Sequence, residues 1–346
     1  MTVPDEMSAV VFDIGGGVRV DRVPVPSPAP GEVLVEVAAV GICGTDLHLR
    51  GGDHVSRDGD LVPGHELAGV VVAVAAGVAG VAVGDAVAVD PNIPCGGCRQ
   101  CHRGRRNLCE RYSAVGVTRP GAAARYVAVP AACCVVLPAS LAQDRDALAL
   151  MALAEPLSCA VRGVDVLQPQ LADHVLVYGA GTMGLMVTAL LAGSGAATVT
   201  VVDPNLDKAE GARALGATAV AGGVPDLDPA DVPDGGWDIV VDCTGVPAAI
   251  ADGLDRVGRG GTFLQFGVAP TAATVEVSPH RIYRDEISIV GSMAVLDSFS
   301  RAVDLLLAGR VDPEPYVSHR VPLEGYADAL DLFARGATRK VLVLPA

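Results

Sequence analysis

Cys95, Cys98 and Cys101 follow one another at intervals of three, and Cys109 comes eight residues later. So tight a run confines four sulfurs to one short loop that can surround a single tetrahedral ion, and a closed shell of four thiolates leaves no position for a reacting molecule. The loop is therefore expected to fold around a structural zinc. The first three spacings also match an iron–sulfur run, but the fourth cysteine comes too late and Glu110 follows it where a proline is usual. Burial without a ligand is a poor alternative, because the loop is polar and arginine-rich and offers little apolar cover. Its Arg99, Arg103, Arg105 and Arg106 are expected to offset the negative charge of four thiolates on a divalent ion.

A chain of 346 residues exceeds what one hydrophobic core supports and is expected to form about two domains. From residue 8 to about 150 it consists of short valine-rich runs, such as Val33 to Val40, Gly69 to Val74 and Asp85 to Val89, broken by glycine and proline. That pattern predicts an irregular, mostly antiparallel β domain. From about 152, strand-like runs at 174–179, 198–203, 238–242 and 262–266 are separated by helical segments such as 184–192 and 206–215. Alternating β and α predicts a doubly wound parallel sheet of the Rossmann kind, so the fold class is α/β. After about 290 come a helix at 297–307, a helical stretch at 323–335 and a closing strand at 340–344, which are expected to return to the first domain. The expected division is 1–152 with 291–346 against 153–290.

The formal charge of −15 and the presence of only two lysines, Lys208 and Lys340, argue against a nucleic-acid binder, since phosphate backbones demand clustered cations. A small or weakly charged substrate suits such a chain better. Nine cysteines is an odd count, and Met1 to Ala9 is acidic with no apolar signal core, so a reducing cytoplasm is expected rather than a secreted disulfide framework. Leu67 to Gly84 holds no charge and could span a bilayer by length alone. Its glycines at 69, 77, 80 and 84 and its alternating valines predict instead two strands and a turn, with no membrane association.

The strand His174 to Tyr178 runs into Gly179-Ala180-Gly181-Thr182-Met183-Gly184 and then an apolar helix. Glycines there permit a tight turn and let amides at the helix start approach a pyrophosphate, the context a dinucleotide fingerprint requires. A second strand, Thr198 to Val202, ends in Asp203, about twenty residues past the last glycine, where an acid accepts hydrogen bonds from a ribose. A 2′-phosphate would meet a like charge at Asp203, and Pro204 and Asn205 supply no arginine to neutralise it, so NAD is expected over NADP. Lys208 either braces the ribose or is a solvated helix-face lysine.

A second metal site is expected from distant positions. Cys43 and His65 offer a sulfur and an imidazole, and a carboxylate from Glu66 or Glu155 would complete three protein ligands while leaving the open position of a catalytic zinc. Each also has a plainer reading: Cys43 as a small buried hydrophobe, His65 as a loop histidine, Glu155 as a helix-start acid beside Pro156. Neighbours on a regular strand face opposite ways, so His65 and Glu66 can both bind metal only if the backbone is irregular there, as Pro63-Gly64 would allow.

Five stretches together are highly specific: Gly41-Ile42-Cys43-Gly44-Thr45-Asp46-Leu47-His48, Pro63-Gly64-His65-Glu66, the four-cysteine lobe, Glu155-Pro156-Leu157-Ser158, and the Gly179 to Gly184 turn. Over essentially its whole length the chain resembles the zinc-dependent medium-chain alcohol dehydrogenases. The resemblance implies a GroES-like catalytic domain beside the Rossmann domain, two zinc ions, and a homo-oligomer, dimer or tetramer. It implies that Cys43, His65 and either Glu66 or Glu155 hold the catalytic zinc, that Thr45 takes the substrate hydroxyl proton, and that His48 helps pass it to solvent. Asp46 is expected to stand behind His65 and fix its tautomer.

A carboxylate at Glu155, where alcohol dehydrogenases of the ethanol type place a cysteine, is similar to the sorbitol, xylitol and threonine dehydrogenase branch, with Cys159 one helical turn later as a rival ligand. Leu157-Ser158 leans toward polyol enzymes. Gly291-Ser292 is followed by Met293, Ala294 and Val295, where many sorbitol dehydrogenases carry an arginine and an aromatic, which argues against sorbitol itself. The expected activity is hydride transfer from a secondary alcohol, a polyol or vicinal diol, to NAD. Oxidation of an amino alcohol such as L-threonine is the alternative within enzymes. A non-catalytic nucleotide-binding relative is the alternative outside them, and the retention of Cys43, Thr45, His48, His65, Glu66 and Glu155 speaks against it.

Overall fold

Valine-rich runs become strands because β-branched side chains pack well on a pleated surface. The computed structural model, which describes residues 3–52 and 59–345, has them at Glu32–Gly41, Glu66–Val74 and Ala86–Val89. Glu32–Gly41 is the spine of a seven-stranded sheet and pairs antiparallel with Glu66–Val74, Tyr126–Pro130 and Lys340–Leu344. Among the described residues of this sheet, only the pairing of Val317–Pro322 with Lys340–Leu344 is parallel. Val33, Val35, Val37, Val40, Val71 and Val87 from these strands are fully buried and form the main core, joined by Tyr326 and Leu330 from the helix Tyr326–Ala334. The expectation of two strands and a turn within Leu67 to Gly84 is corrected: one strand ends at Val74, turns follow, and the next begins only at Ala86. Positive φ angles at Gly77, Gly80 and Gly84 break the run that valines alone would have extended. The helical run Arg145–Leu167 is apolar and long enough to cross a membrane by length and composition, and 72% of its most apolar window is buried inside the protein, as in a core helix.

Two units result, Met1–Pro156 with Val295–Ala346, and Leu157–Ala294. Both crossings lie four residues beyond the divisions expected after 152 and 290; the first falls inside the helix Ala154–Leu167, which carries no composition change there. The tail joins the first unit through Phe299–Leu307, Tyr326–Ala334 and Lys340–Leu344.

The second unit is a six-stranded parallel sheet in the order Ala219–Ala221, Thr198–Val202, His174–Tyr178, Trp237–Asp242, Val257–Gln265, Ser288–Gly291. The chain order reverses between His174–Tyr178 and Trp237–Asp242, and ligands of such sheets bind at the carboxyl ends of the strands flanking that reversal. The helix expected over 206–215 stops at Gly211 and continues as a 3-10 turn, Arg213–Leu215.

Candidate metal and dinucleotide sites

In the four-cysteine loop all four sulfurs lie within 4.8 Å of one another, and Cys98 Sγ and Cys109 Sγ are 4.0 Å apart. Two sulfurs bound to one tetrahedral zinc would sit about 3.8 Å apart, so the loop already has the spacing a closed zinc shell needs. No disulfide competes, since all nine cysteines are free. Backbone amides turn inward: Cys95 N donates to Cys109 Sγ at 3.3 Å and Cys101 N to Cys98 Sγ at 3.5 Å. The arginine that touches the cluster is not one of the four expected. Arg111 donates to Cys95 Sγ at 3.5 Å, whereas Arg106 turns away to pair with Asp297. The Gly97 amide, with Arg111 behind it, pulls the Cys95 thiol down to about 6.

The second cluster is assembled from across the first unit. Cys43 caps the helix Gly44–Gly51, and Asp46 Oδ2 accepts from the Cys43 amide at 2.9 Å, which fixes the turn that presents the sulfur. Gly64 has φ +98°, and a Cβ there would come within 2.7 Å of Val40 Cγ2 and 2.9 Å of the Ala123 amide, so only glycine fits. This left-handed residue is the backbone irregularity that lets His65, in the loop, and Glu66, first in its strand, turn to one side. The donor atoms of Cys43, His65 and Glu66 lie within 4.8 Å of one another, and neither Glu155 nor Cys159 belongs to that group. Glu155 is buried at the start of Ala154–Leu167, and its charge is felt by both His65 and Lys340. Thr45 Oγ1 is 3.8 Å from Cys43 Sγ; Thr45 and His48 are half-buried. Asp46 Oδ1 is 3.9 Å from His65 Nδ1, close enough to act by charge but beyond a hydrogen bond, so the expected tautomer lock is not closed in this geometry.

Two residues here were not foreseen. Lys340, 2% exposed, donates to both oxygens of Glu66 at 2.6 Å and to the Ile42 carbonyl at 3.0 Å. Tyr326 is buried beside the same acids. A signal for Lys340 existed, a lone lysine opening the otherwise apolar strand Lys-Val-Leu-Val-Leu in a chain whose only other lysine is Lys208. Nothing in the sequence marks Tyr326.

The electrostatics suit a cation held among these groups. Burial pulls His65 down, yet the Cys43 sulfur, Asp46 and Glu155 outweigh it and hold its proton up to about 10. Burial, then Glu66 and Asp90, push the Glu155 carboxyl up to about 7 against the pull of His65 and Lys340. Burial likewise raises Asp46. Buried polar atoms normally find partners, and Asp46 Oδ1 and His65 Nδ1 have none within hydrogen-bond reach among the described residues. A sulfur, an imidazole and a carboxylate around one point are the donor types of a catalytic zinc.

In the second unit, Gly179 follows its strand with φ +96°, and a Cβ at Gly184 would lie 1.8 Å from the Gly179 carbonyl oxygen, so both glycines are required by close packing. Gly181 meets nothing within 4 Å, and Thr182 Oγ1 is buried without a hydrogen-bond partner among the described residues. Together with the amides opening Thr182–Gly193, these fit a pyrophosphate. Asp203 is held in place from two sides: Oδ2 accepts from the Ala180 amide at 2.8 Å and Oδ1 from the Asn205 amide at 2.8 Å. Met183 and Lys208 are half-buried, Lys208 on the helix Leu206–Gly211.

Residues 29–139 match the alcohol dehydrogenase GroES-like domain, and residues 182–308 match the zinc-binding dehydrogenase family. The chain is 36% identical to D-arabinitol dehydrogenase 1 of Uromyces fabae, over 99% of each chain. It is 33% identical to the L-threonine 3-dehydrogenase of Pyrococcus horikoshii, over 95% of this chain and 96% of that one. Among solved structures, a zinc-binding dehydrogenase of Sinorhizobium meliloti 1021 bound to NADP superposes with a TM-score of 0.90 at 34% identity, covering 99% of this chain and 100% of that one.

Proposed function

Because the chain belongs to the zinc-dependent medium-chain alcohol dehydrogenases, enzymes that oxidise an alcohol with a nicotinamide cofactor, we propose that its substrate is a secondary hydroxyl flanked by another hydroxyl, as in a pentitol, hexitol or vicinal diol. The observation that carries this is the Cys43, His65, Glu66 donor group with Glu155 buried nearby. One thiolate with carboxylates leaves more positive charge on a metal than two thiolates would, and a hard, open site favours two neighbouring hydroxyl oxygens over one. The D-arabinitol dehydrogenase relative is in keeping with this.

Zinc, when bound, supplies a Lewis acid that lowers the pKa of an alcohol oxygen, and the nicotinamide supplies the hydride acceptor. The remaining work falls to the chain. Cys43, His65 and Glu66 are the proposed ligands of the catalytic ion, and Cys95, Cys98, Cys101 and Cys109 those of a second, structural ion. Thr45 would take the substrate proton; a threonine hydroxyl is too weak a base to keep it, so it would pass the proton on to His48. Asp46 orients the Cys43 turn and stabilises His65 by charge. Gly179, Gly181, Thr182, Met183 and Gly184 form the pyrophosphate turn, and Asp203, with Lys208 nearby, selects NAD by repelling a 2′-phosphate.

Values of kcat/KM for xylitol, arabinitol, galactitol and 2,3-butanediol against ethanol and threonine test the substrate class. A clear lead for threonine would favour the amino-alcohol reading, which the Pyrococcus horikoshii relative supports. The free state of all nine cysteines fits a reducing cytoplasm. The edge strand Ser288–Gly291, with Tyr283, Ile289 and Met293 exposed around it, is the surface on which a homo-oligomer would form. Light scattering of Ile289→Lys against the parent protein tests that assignment.

A further inference from the structure

All three N–H groups of the Lys340 ammonium are spent, two on Glu66 and one on Ile42. Burying a lysine this completely carries a desolvation cost that only a well-placed anion offsets. That anion is itself a metal donor, because a Glu66 carboxylate oxygen lies within 4.8 Å of the Cys43 and His65 donor atoms. One carboxylate is thus shared between a fixed ammonium and the position a metal would take. The backbone leaves it little freedom: Gly41 pairs with Glu66 on one side and with Leu342 on the other, and a Cβ at Gly41 would lie 1.9 Å from Glu66 Oε2.

Resting on the zinc reading given above, we propose that Lys340 is a positioning residue that weakens Glu66 as a metal donor. Holding both oxygens, it draws negative charge from the carboxylate, so that the ion keeps more of its own charge for polarising an alcohol and is released more readily than its ligand set alone would allow. Cys43 and His65 then anchor the metal, and Glu66 is a yielding third ligand whose strength is set from the closing strand.

The test uses the zinc-loaded full chain, with release followed by a chromophoric chelator and the lobe's ion identified in Cys43→Ser. Lys340→Met should slow release from the Cys43 site by roughly tenfold, the small end of the affinity changes that substitutions behind a metal ligand cause, here toward tighter binding because the group removed is a cation that competes for the carboxylate. Lys340→Arg, which keeps the charge, should release at nearly the parent rate. In a Glu66→Gln background the same Lys340→Met change should have no effect, since the coupling runs through the carboxylate. Unchanged or faster release from Lys340→Met, with the lobe's zinc retained as a sign of folding, overturns the proposal, as does an equal effect in both backgrounds. Should the unpaired carboxylate prevent folding, Lys340→Gln, which donates to Glu66 without a charge, carries the same comparison. A parent protein that holds zinc only in the lobe overturns instead the zinc reading, so the two failures are distinguishable.

Discussion

The two cysteine-bearing clusters of the first unit use similar chemistry on opposite plans. The lobe draws four sulfurs from residues 95–109, is exposed at Cys95, and keeps its arginines on the surface, with Arg111 reaching Cys95. The other cluster takes Cys43 from a helix cap, His65 and Glu66 from a loop and strand start, and its countercharge from Lys340, some three hundred residues from Cys43, all packed away from water apart from the half-buried sulfur. A closed shell of identical ligands can be made by local chain geometry alone. An open site with mixed ligands needs its donors aimed from several directions, which only a folded sheet provides. Stability should therefore depend on the first cluster and chemistry on the second.

The largest expected effect breaks the comparison on the chemical side. Cys43→Ser should remove one zinc, leave the lobe's ion in place, and lower kcat at least about a thousandfold, because several kcal/mol of Lewis-acid stabilisation go with the metal. Elemental analysis beside steady-state kinetics checks this; an active variant with its zinc content unchanged would remove Cys43 from the ligand set. On the structural side, Cys98→Ser should lose the lobe's ion and lower Tm by roughly 5–10 °C, taking a few kcal/mol of metal-linked folding energy at about 2–4 °C per kcal/mol. Calorimetry decides it, and an unshifted Tm would mean the lobe does not hold the fold.

The charge difference between the clusters should appear as pH dependence. In metal-free protein His65 keeps its proton up to about 10 and Glu155 up to about 7, both above their unfolded values of 6.5 and 4.5. The native state then binds more protons than the unfolded chain above the lower of those values. The stabilisation is complete at low pH and is lost as pH rises through the two native values. Metal-free protein should therefore melt at falling temperature as pH rises across neutrality. Zinc must displace the His65 proton, so its affinity should rise over the same range. A melting temperature that climbs with pH in the metal-free protein would contradict the assignment.

Two smaller effects sharpen the reading. Asp203→Ser should cut the preference for NAD over NADP by about tenfold, one like-charge contact in a partly buried site being worth about 1.4 kcal/mol. Kinetics with both cofactors measures it, and an unaltered ratio would take Asp203 out of the ribose role. His48→Ala should slow turnover by roughly ten- to a hundredfold, within the range of a lost proton-transfer group, with zinc content intact and partial rescue by small external bases. Loss of an ion from that variant would make His48 a ligand instead.

Much of this protein was legible before folding because its signals are local. The lobe's spacing, the glycine turn after His174–Tyr178, Asp203 at the end of the next strand and the closing strand at 340–344 each depend on residues close in sequence, where backbone geometry is decided by short-range sterics. Strand ends in the run after Leu67 were not legible, since valine favours a strand wherever pairing is available and only the partner strand sets where pairing stops. Nor was the choice of arginine at the lobe: Arg111 reaches Cys95 because the loop doubles back, a matter of its path in space. At the candidate metal site the sequence supplied the donor types and left Glu66 and Glu155 equal. The register that sets Leu342 opposite Gly41, and Gly41 opposite Glu66, draws Glu66 into the donor group and brings Lys340 onto its carboxylate. Pairing across a sheet is a long-range contact between strands that carry no mark of one another, so the countercharge of this site could come only from the folded chain.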